Sequence, residues 1–154
     1  MTGQAQPSGG GNPAPGFRER PDHKVTREPF ERIVEIRRNG VTLCKTEGAI
    51  LVRETNHTPV LYVPLLAIDM DELSGSDHTT YCPFKGHACY WSISGGSGPG
   101  EHAKPAENAV WAYQTPYSDV AWLEGYAAFY ADKVDTLVDG LAVDTTEADW
   151  PAKL

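Results

Sequence analysis

Short apolar runs separated by turn residues dominate the middle of the chain. Runs over residues 33–36 and 41–44 flank Asn39-Gly40, a dipeptide that favours a β-hairpin because both residues tolerate positive φ. Another run follows Gly48, and a further one at 60–63 stops at Pro64, where proline removes a ladder donor. This half of the chain is therefore predicted to form β-strands.

The second half continues the pattern with period-2 alternation. Over 86–94, Cys89 and Trp91 fall on one face and Ala88 and Tyr90 on the other, as expected for a strand. Residues 108–114 alternate similarly, and 125–130 are interpreted as the last core strand.

The connections between these runs are short and contain little helical pattern. Residues 65–68 predict a helical turn or bend, 69–77 an acidic surface connection, and 95–105 a mobile glycine-rich loop. Ser118-Asp119 is expected to cap a helical turn that ends at Leu123. Because parallel strands need long crossovers, the pattern predicts an all-β, compact antiparallel domain with one or two helical turns.

The two ends of the chain differ from its middle. Residues 1–28 are rich in Gly, Pro and charge, so we interpret them as a disordered tail, or at most a segment laid across the surface. Residues 137–154 are acidic and lose the alternation, which indicates a C-terminal tail. A single β domain is predicted over 29–136.

Charge and cysteine content exclude several classes of function. The formal net charge of −8 disfavours binding to nucleic acid or to an anionic membrane. The three cysteines form no Cys-x-x-Cys pair, which favours a reduced compartment. With no signal-like or membrane-spanning run, a cytoplasmic location is expected. The sequence leaves a homodimer open.

The segment 78–91 concentrates the reactive and aromatic side chains. Cys82 is a candidate nucleophile or redox thiol that Lys85 or His57 would assist, because a nearby cation lowers a thiol pKa. The alternative is that Cys82 is a small packing residue. Gly86 beside Lys85 allows a ligand to approach the backbone, with the lysine as a point charge.

A larger group of polar and aromatic residues predicts a pocket for a planar or polar small molecule. We expect the turn at Cys82–Gly86 to face an aromatic hollow between two sheets. The alternative is a satisfied hydrogen-bond network between the sheets. The predicted ligand-binding residues are Asn56, Tyr62, Thr80, Lys85, Tyr90 and Tyr113.

No metal or cofactor is predicted. Asp69 and Asp71 resemble a magnesium-binding pair, but we interpret them as solvated surface, because an exposed acidic turn needs no metal to explain it. Cys82, His87 and Cys89 lie on neighbouring strand positions that suit a tetrahedral metal poorly, and no fourth ligand is indicated.

Four ordered motifs between Asn39 and Val134 resemble a bacterial family catalogued as domain of unknown function 427. The resemblance implies two small antiparallel sheets meeting like the sides of a tent, without the zinc knuckles of distant relatives, and it implies no settled activity beyond a nucleotidyltransferase-like label. Phe84 stands where many members have tryptophan. The motifs are Glu54-Thr55-Asn56-His57 with Tyr62-Val63-Pro64, Thr80-Tyr81-Cys82-Pro83-Phe84-Lys85-Gly86, Ala109-Val110-Trp111-Ala112-Tyr113, and Gly125-Tyr126-Ala127-Ala128-Phe129-Tyr130.

Three functions remain open at this point. The favoured one is a small-molecule-binding module, because rings and amides outnumber acid–base pairs in the motifs. The alternatives are an enzyme that uses Cys82, and an interaction module whose tails recruit a partner. The nucleotidyltransferase-like label gains little from the residues, since Gly75-Ser76 follows Asp69 and Asp71 instead of preceding them.

Overall fold

The computed structural model of the protein describes residues 11–95, 104–152 and 154. These residues form two antiparallel sheets, so the predicted all-β, two-sheet fold is confirmed. The strands are β1 (Val25–Pro29), β2 (Val34–Arg38), β3 (Val41–Thr46), β4 (Ile50–Glu54), β5 (Val60–Pro64), β6 (Leu73–Cys82), β7 (Gly86–Ile93), β8 (Ala106–Ala112), β9 (Tyr126–Phe129), β10 (Asp135–Val138) and β11 (Leu141–Val143). The helical elements are α1 (Pro15–Glu19) and 3-10 turns over Leu65–Ala67, Met70–Glu72, Ser118–Leu123 and Ala131–Lys133.

The larger sheet has seven strands in the order β1-β4-β5-β9-β8-β7-β6, and the smaller has four in the order β11-β10-β2-β3. The predicted hairpin is present, with Asn39 and Gly40 at φ of 52° and 76° between β2 and β3. The left-handed conformation of these two residues is what the tight connection requires.

Apolar side chains cover both faces of the seven-stranded sheet. On one face, Val63, Val110 and Ile93 pack with residues of the four-stranded sheet, including Val34 and Leu43, to form the core between the sheets. On the other face lies a second cluster that contains no residue of the four-stranded sheet. Its buried members are Ile50, Val52, Tyr62, Ala88, Tyr90, Tyr113, Val120, Leu123 and Ala128.

Alternation along β7 and β8 follows the sequence prediction. Cys89 and Ile93 pack against the core between the sheets, whereas Ala88 and Tyr90 belong to the second cluster. In β8, Val110 likewise faces the core between the sheets. Period-2 reading therefore assigned the correct face to each of these side chains.

The interpretation of residues 1–28 as a tail is wrong for the described residues 11–28. Residues Pro15–Glu19 form α1, and Val25–Pro29 form an edge strand paired with β4. Four of the five β1 side chains are exposed, so the strand has no apolar alternation to detect. Backbone hydrogen bonds to β4 stabilise it instead. Residues 1–10 lie outside the described residues.

The acidic C-terminal tail over 137–154 is also a wrong interpretation. Residue Leu137 pairs with Glu35 of β2, and β11 completes the smaller sheet. Farther on, the Trp150 ring is only 6% exposed and lies 6.0 Å from the Phe30 ring. Its indole N–H donates to the Pro59 carbonyl at 3.1 Å. The domain thus extends beyond 29–136 at both ends, and 125–130 is not its last strand.

Two local expectations also differ from the structure. Part of the predicted surface connection 69–77 belongs to β6, an edge strand that is largely exposed and so lacks an apolar pattern. The helical turn Ser118–Leu123 is present, but its N-cap is Tyr117 and no side chain caps it. Asp119 accepts a hydrogen bond from the Ala14 backbone instead, at 2.7 Å. The predicted loop 95–105 lies largely outside the described residues.

Candidate functional site

A cavity of about 410 Å³ opens on the outer face of the seven-stranded sheet. No residue of the four-stranded sheet lines it among those described, so the expected position between the two sheets is wrong. The expected aromatic walls are present. The lining residues are Val52, Glu54, His57, Thr58, Val60, Tyr62, Lys85, Tyr90, Trp111, Tyr113 and Tyr130.

Lys85 reaches this cavity from the tight turn between β6 and β7. Its N–H donates to the Cys82 carbonyl at 3.3 Å, and Gly86 follows with a φ of +117° that side chains rarely adopt. The lysine is only 8% exposed. Its ammonium lies 2.5 Å from Glu54 Oε1 and 5.9 Å from the centre of the Tyr113 ring.

Glu54, at the end of β4, is the acidic partner of Lys85. Its Oε2 lies 2.8 Å from His23 Nε2 and 4.0 Å from His57 Nε2. Burial by itself would raise the pKa of Glu54, but the hydrogen bond and charge of Lys85, helped by His23 and His57, hold the pKa below its ordinary value. The carboxylate is therefore ionised at neutral pH, and Lys85 faces a full negative charge.

Glu54 was not among the predicted site residues, although it begins one of the motifs quoted above. The alternation of side chains along β4 could have identified it. Ile50 and Val52 belong to the second cluster, so period-2 alternation along β4 directs Glu54 to the same face. A carboxylate in register with buried apolar residues requires a cation, and Lys85 is that cation.

Phenol and indole groups form much of the cavity wall. The Trp111 indole N–H donates to the Tyr62 hydroxyl at 3.2 Å, and the Tyr90 and Thr80 hydroxyls are 2.9 Å apart. Tyr113 is 8% exposed, and no described residue forms a hydrogen bond with its hydroxyl. Burial raises the pKa of both Tyr62 and Tyr113, so both phenols stay neutral and can donate.

Two of the predicted ligand-binding residues do not line the cavity. Asn56 is exposed and has a φ of 66°, a left-handed conformation that asparagine tolerates better than most residues. It occupies the connection between β4 and β5. Thr80 is exposed on β6 and contacts the site only through Tyr90. The other four predicted ligand-binding residues, Tyr62, Lys85, Tyr90 and Tyr113, do line the cavity.

The predicted catalytic residues are only partly brought together. Cys82 is half-buried, packs against the second apolar cluster and does not line the cavity. His57 does line it, but its side chain is 61% exposed. Lys85 thus shares the cavity with His57 and not with the thiol.

The N-terminal segment covers the turn that carries Lys85. The Gly16 N–H donates to the Pro83 carbonyl at 2.9 Å. A Cβ on Gly16 would lie 2.7 Å from the Phe84 ring. On the other side, the His23 ring stacks on Phe84 with centroids 3.9 Å apart. This close approach places His23 beside Glu54 and so brings residues 16–23 to the site.

A second cavity of about 240 Å³ adjoins the first. Thr58, Val60, Trp111 and Tyr130 line both cavities. The ladder between β5 and β9 joins Val63 to Ala127 and Pro64 to Tyr126, and the second cavity lies beyond its end, beside Leu61 and Phe129. The Trp111 and Tyr130 rings, which line both cavities, have centroids 4.6 Å apart.

Metal ligation finds no support in the described part of the chain, where no group of three or more His, Cys, Asp or Glu side chains is placed to hold an ion. Asp69 accepts a hydrogen bond from the Asp71 backbone at 3.2 Å and so begins the turn Met70–Glu72. The described helices are also too short and polar for any of them to cross a bilayer.

The fold and the site define a small all-β domain with a polar, aromatic cavity on one sheet face. The sequence matches the family model described as a domain of unknown function (DUF427) over residues 26–140. The protein therefore belongs to this family, as the motifs predicted. The match begins within β1 and ends after β10, which agrees with the wider domain described above. No curated protein matches the chain.

Proposed function

We propose that the protein is a small-molecule-binding module whose site is the cavity around Lys85. The observation that supports it most directly is the burial of the Lys85 ammonium against Glu54, in a cavity lined by five tyrosine and tryptophan side chains. Ligand sites are typically concave, several hundred cubic ångströms in volume, mostly apolar, and supplied with a few placed polar groups. The cavity has each of these properties.

Burying the Glu54–Lys85 ion pair costs desolvation free energy, and this cost favours a role for the pair in binding. Taking a carboxylate and an ammonium out of water costs more than their attraction generally returns, so such pairs are weak stabilisers. Glu54 and Lys85 are held at this position by two tight backbone features, the end of β4 and the turn before Gly86. Donors and acceptors that the backbone holds rigidly in this way can orient a bound molecule.

The alternative of an enzyme using Cys82 has less geometric support. The thiol does not line the cavity, and Lys85, which would have to assist it, is paired with Glu54 instead. A nucleotidyltransferase activity would need phosphate and magnesium sites. The charge of Lys85, which a phosphate would need, is neutralised by Glu54. Asp69, a candidate magnesium ligand, accepts a hydrogen bond from the Asp71 backbone in its own turn.

The experiment that tests the proposal is detection of bound small molecules by native mass spectrometry after gentle purification, together with ligand-detected NMR of a metabolite-like library. Wild type is compared with Lys85→Met and with Val60→Trp, which fills the cavity from its half-buried rim. Lys45→Met, an exposed lysine on β3, is the matched control. Circular dichroism establishes that each variant is folded.

We expect wild type and Lys45→Met to retain ligands that both cavity variants lose, with affinity falling roughly ten-fold or more when a charged hydrogen bond is removed. Binding that is equal in all four proteins would place the ligand elsewhere. Wild type that binds nothing would refute the proposal. We also propose, from the sequence, a cytoplasmic location and no nucleic-acid or membrane partner.

A further inference from the structure

We infer that the group recognised in this cavity is a neutral carbonyl on a planar ring, such as an amide, lactam or ketone, with its oxygen accepting from Tyr113 and Tyr62. The inference rests on the proposed function and specifies the ligand class for the same site. It depends on which hydrogen-bonding positions the protein itself leaves unused, on the local charge, and on the shape of the walls.

The Tyr113 hydroxyl is the first unused position. The residue is more than nine-tenths buried and lines the cavity, yet no described residue pairs with its hydroxyl. The hydroxyl is not among the fully buried polar atoms, so it keeps solvent access in the cavity, and an acceptor placed there gains a hydrogen bond without breaking one within the protein. Because burial raises the pKa of this phenol, the group it offers is an O–H donor.

The Tyr62 hydroxyl is the second group with an unused hydrogen-bonding position. It accepts from the Trp111 indole, and that interaction leaves its own proton available to donate. Tyr90 differs, since its hydroxyl already pairs with Thr80. Two neutral donors therefore line one cavity beside Lys85, whose ammonium carries three protons and donates one to Glu54. This set favours an acceptor over a second donor.

The charges of the lining residues indicate whether the acceptor on the ligand is neutral or anionic. The charged and titratable groups at the site are Lys85, Glu54, His57 and, behind Glu54, His23. Lys85 and Glu54 neutralise one another, so a carboxylate or phosphate would approach an ionised Glu54 without a surplus cation. An amine would instead meet the ammonium and two phenol donors. A neutral carbonyl avoids both conflicts.

The walls favour a planar ring next to that carbonyl. Trp111, Tyr90 and Tyr130 present flat apolar surfaces in the same cavity. Aromatic side chains pack well against planar groups through stacked or edge contacts. The ring would lie among these residues, with its carbonyl directed at Tyr62 and Tyr113.

The test uses four probes that share one ring and differ in the attached group, namely benzamide, benzoate, benzylamine and phenyl phosphate. Each is titrated into the full chain by protein-observed NMR at neutral pH. Tyr113→Phe removes the unused hydroxyl and keeps the ring. Tyr117→Phe is the control, because the Tyr117 hydroxyl pairs with Tyr81 and lies outside the cavity.

We expect benzamide to bind most tightly, and Tyr113→Phe to weaken it about five-fold, the effect of one neutral hydrogen bond, while Tyr117→Phe leaves it unchanged. Tighter binding of benzoate, benzylamine or phenyl phosphate would overturn the inference and leave the proposed function standing. So would benzamide binding that is equal in wild type and Tyr113→Phe. Failure of all four probes to bind at millimolar concentration would count against the inference and the proposed function together.

Discussion

The Lys85 ammonium donates to Glu54 at 2.5 Å, although the two residues lie 31 positions apart in the chain. One comes from the turn after β6 and the other from the end of β4, strands that are not neighbours in the sheet. Their side chains meet on the outer face of the seven-stranded sheet, where both line the cavity. This pair is the electrostatic centre of the site, so the first predictions concern it.

Replacing Lys85 with methionine should lower the free energy of unfolding by roughly 2–3 kcal/mol, because it leaves a mostly buried carboxylate without its main partner. Denaturant unfolding followed by tryptophan fluorescence measures the change. The double variant Lys85→Met/Glu54→Leu should lose less than the sum of the two single variants, since no charge is then left unpaired. Additive losses would mean that the two side chains act independently.

The pH dependence of stability should carry a contribution from Glu54. Its pKa in the folded protein lies below the ordinary value, so its stabilising effect is present at neutral pH and is lost as the pH falls through the folded pKa. The stability advantage of wild type over Glu54→Gln should therefore shrink from pH 7 towards about pH 3. An advantage that stays constant over this range would contradict the assignment.

Gly16→Ala should separate the N-terminal segment from the turn that carries Lys85. The new Cβ would meet the Phe84 ring at 2.7 Å and the Pro83 carbonyl at 2.8 Å, an overpacking that costs roughly 1–3 kcal/mol of unfolding free energy. Gly75→Ala is the matched control, because no heavy atom lies within 4 Å of its added Cβ. Equal melting temperatures for the two variants would disprove the close packing of α1.

Trp150→Ala should destabilise the whole domain by about 3–5 kcal/mol, the usual cost of removing a large buried ring. The ring contacts Phe30, and its N–H bonds the Pro59 carbonyl. Leu66→Ala removes a fully exposed apolar side chain and should change the unfolding free energy by less than about 0.5 kcal/mol. If the C-terminal segment contributed nothing to stability, Trp150→Ala and Leu66→Ala would have similar unfolding curves.

Cys44 should resist alkylation in the folded protein. Burial raises the pKa of its thiol to about 11, and only the thiolate reacts. Iodoacetamide at pH 8 or so, followed by peptide mass spectrometry, should therefore leave Cys44 unmodified until the protein is unfolded. Rapid labelling of Cys44 in the native state would show that the core between the sheets opens easily.

Local sequence pattern was enough to predict the β class, the hairpin at Asn39-Gly40 and the faces of Ala88, Cys89, Tyr90 and Val110. These features are local, since turn residues set the hairpin and period-2 burial sets the faces. The same locality explains the failures at the ends of the domain. Strands β1 and β11 are edge strands with mostly exposed side chains, so they carry no apolar pattern, and only pairing with β4 and β10 defines them.

For the candidate site, the sequence identified Lys85 and the aromatic residues Tyr62, Tyr90 and Tyr113, because they lie in compact motifs. The pairing of Glu54 with Lys85, and the position of Cys82 outside the cavity, depend on how the strands come together in three dimensions. Three strands separate β4 from β7 in the sheet, so the contact between Glu54 and Lys85 depends on the tertiary fold, which no local spacing encodes. The position of the cavity on the outer face followed for the same reason.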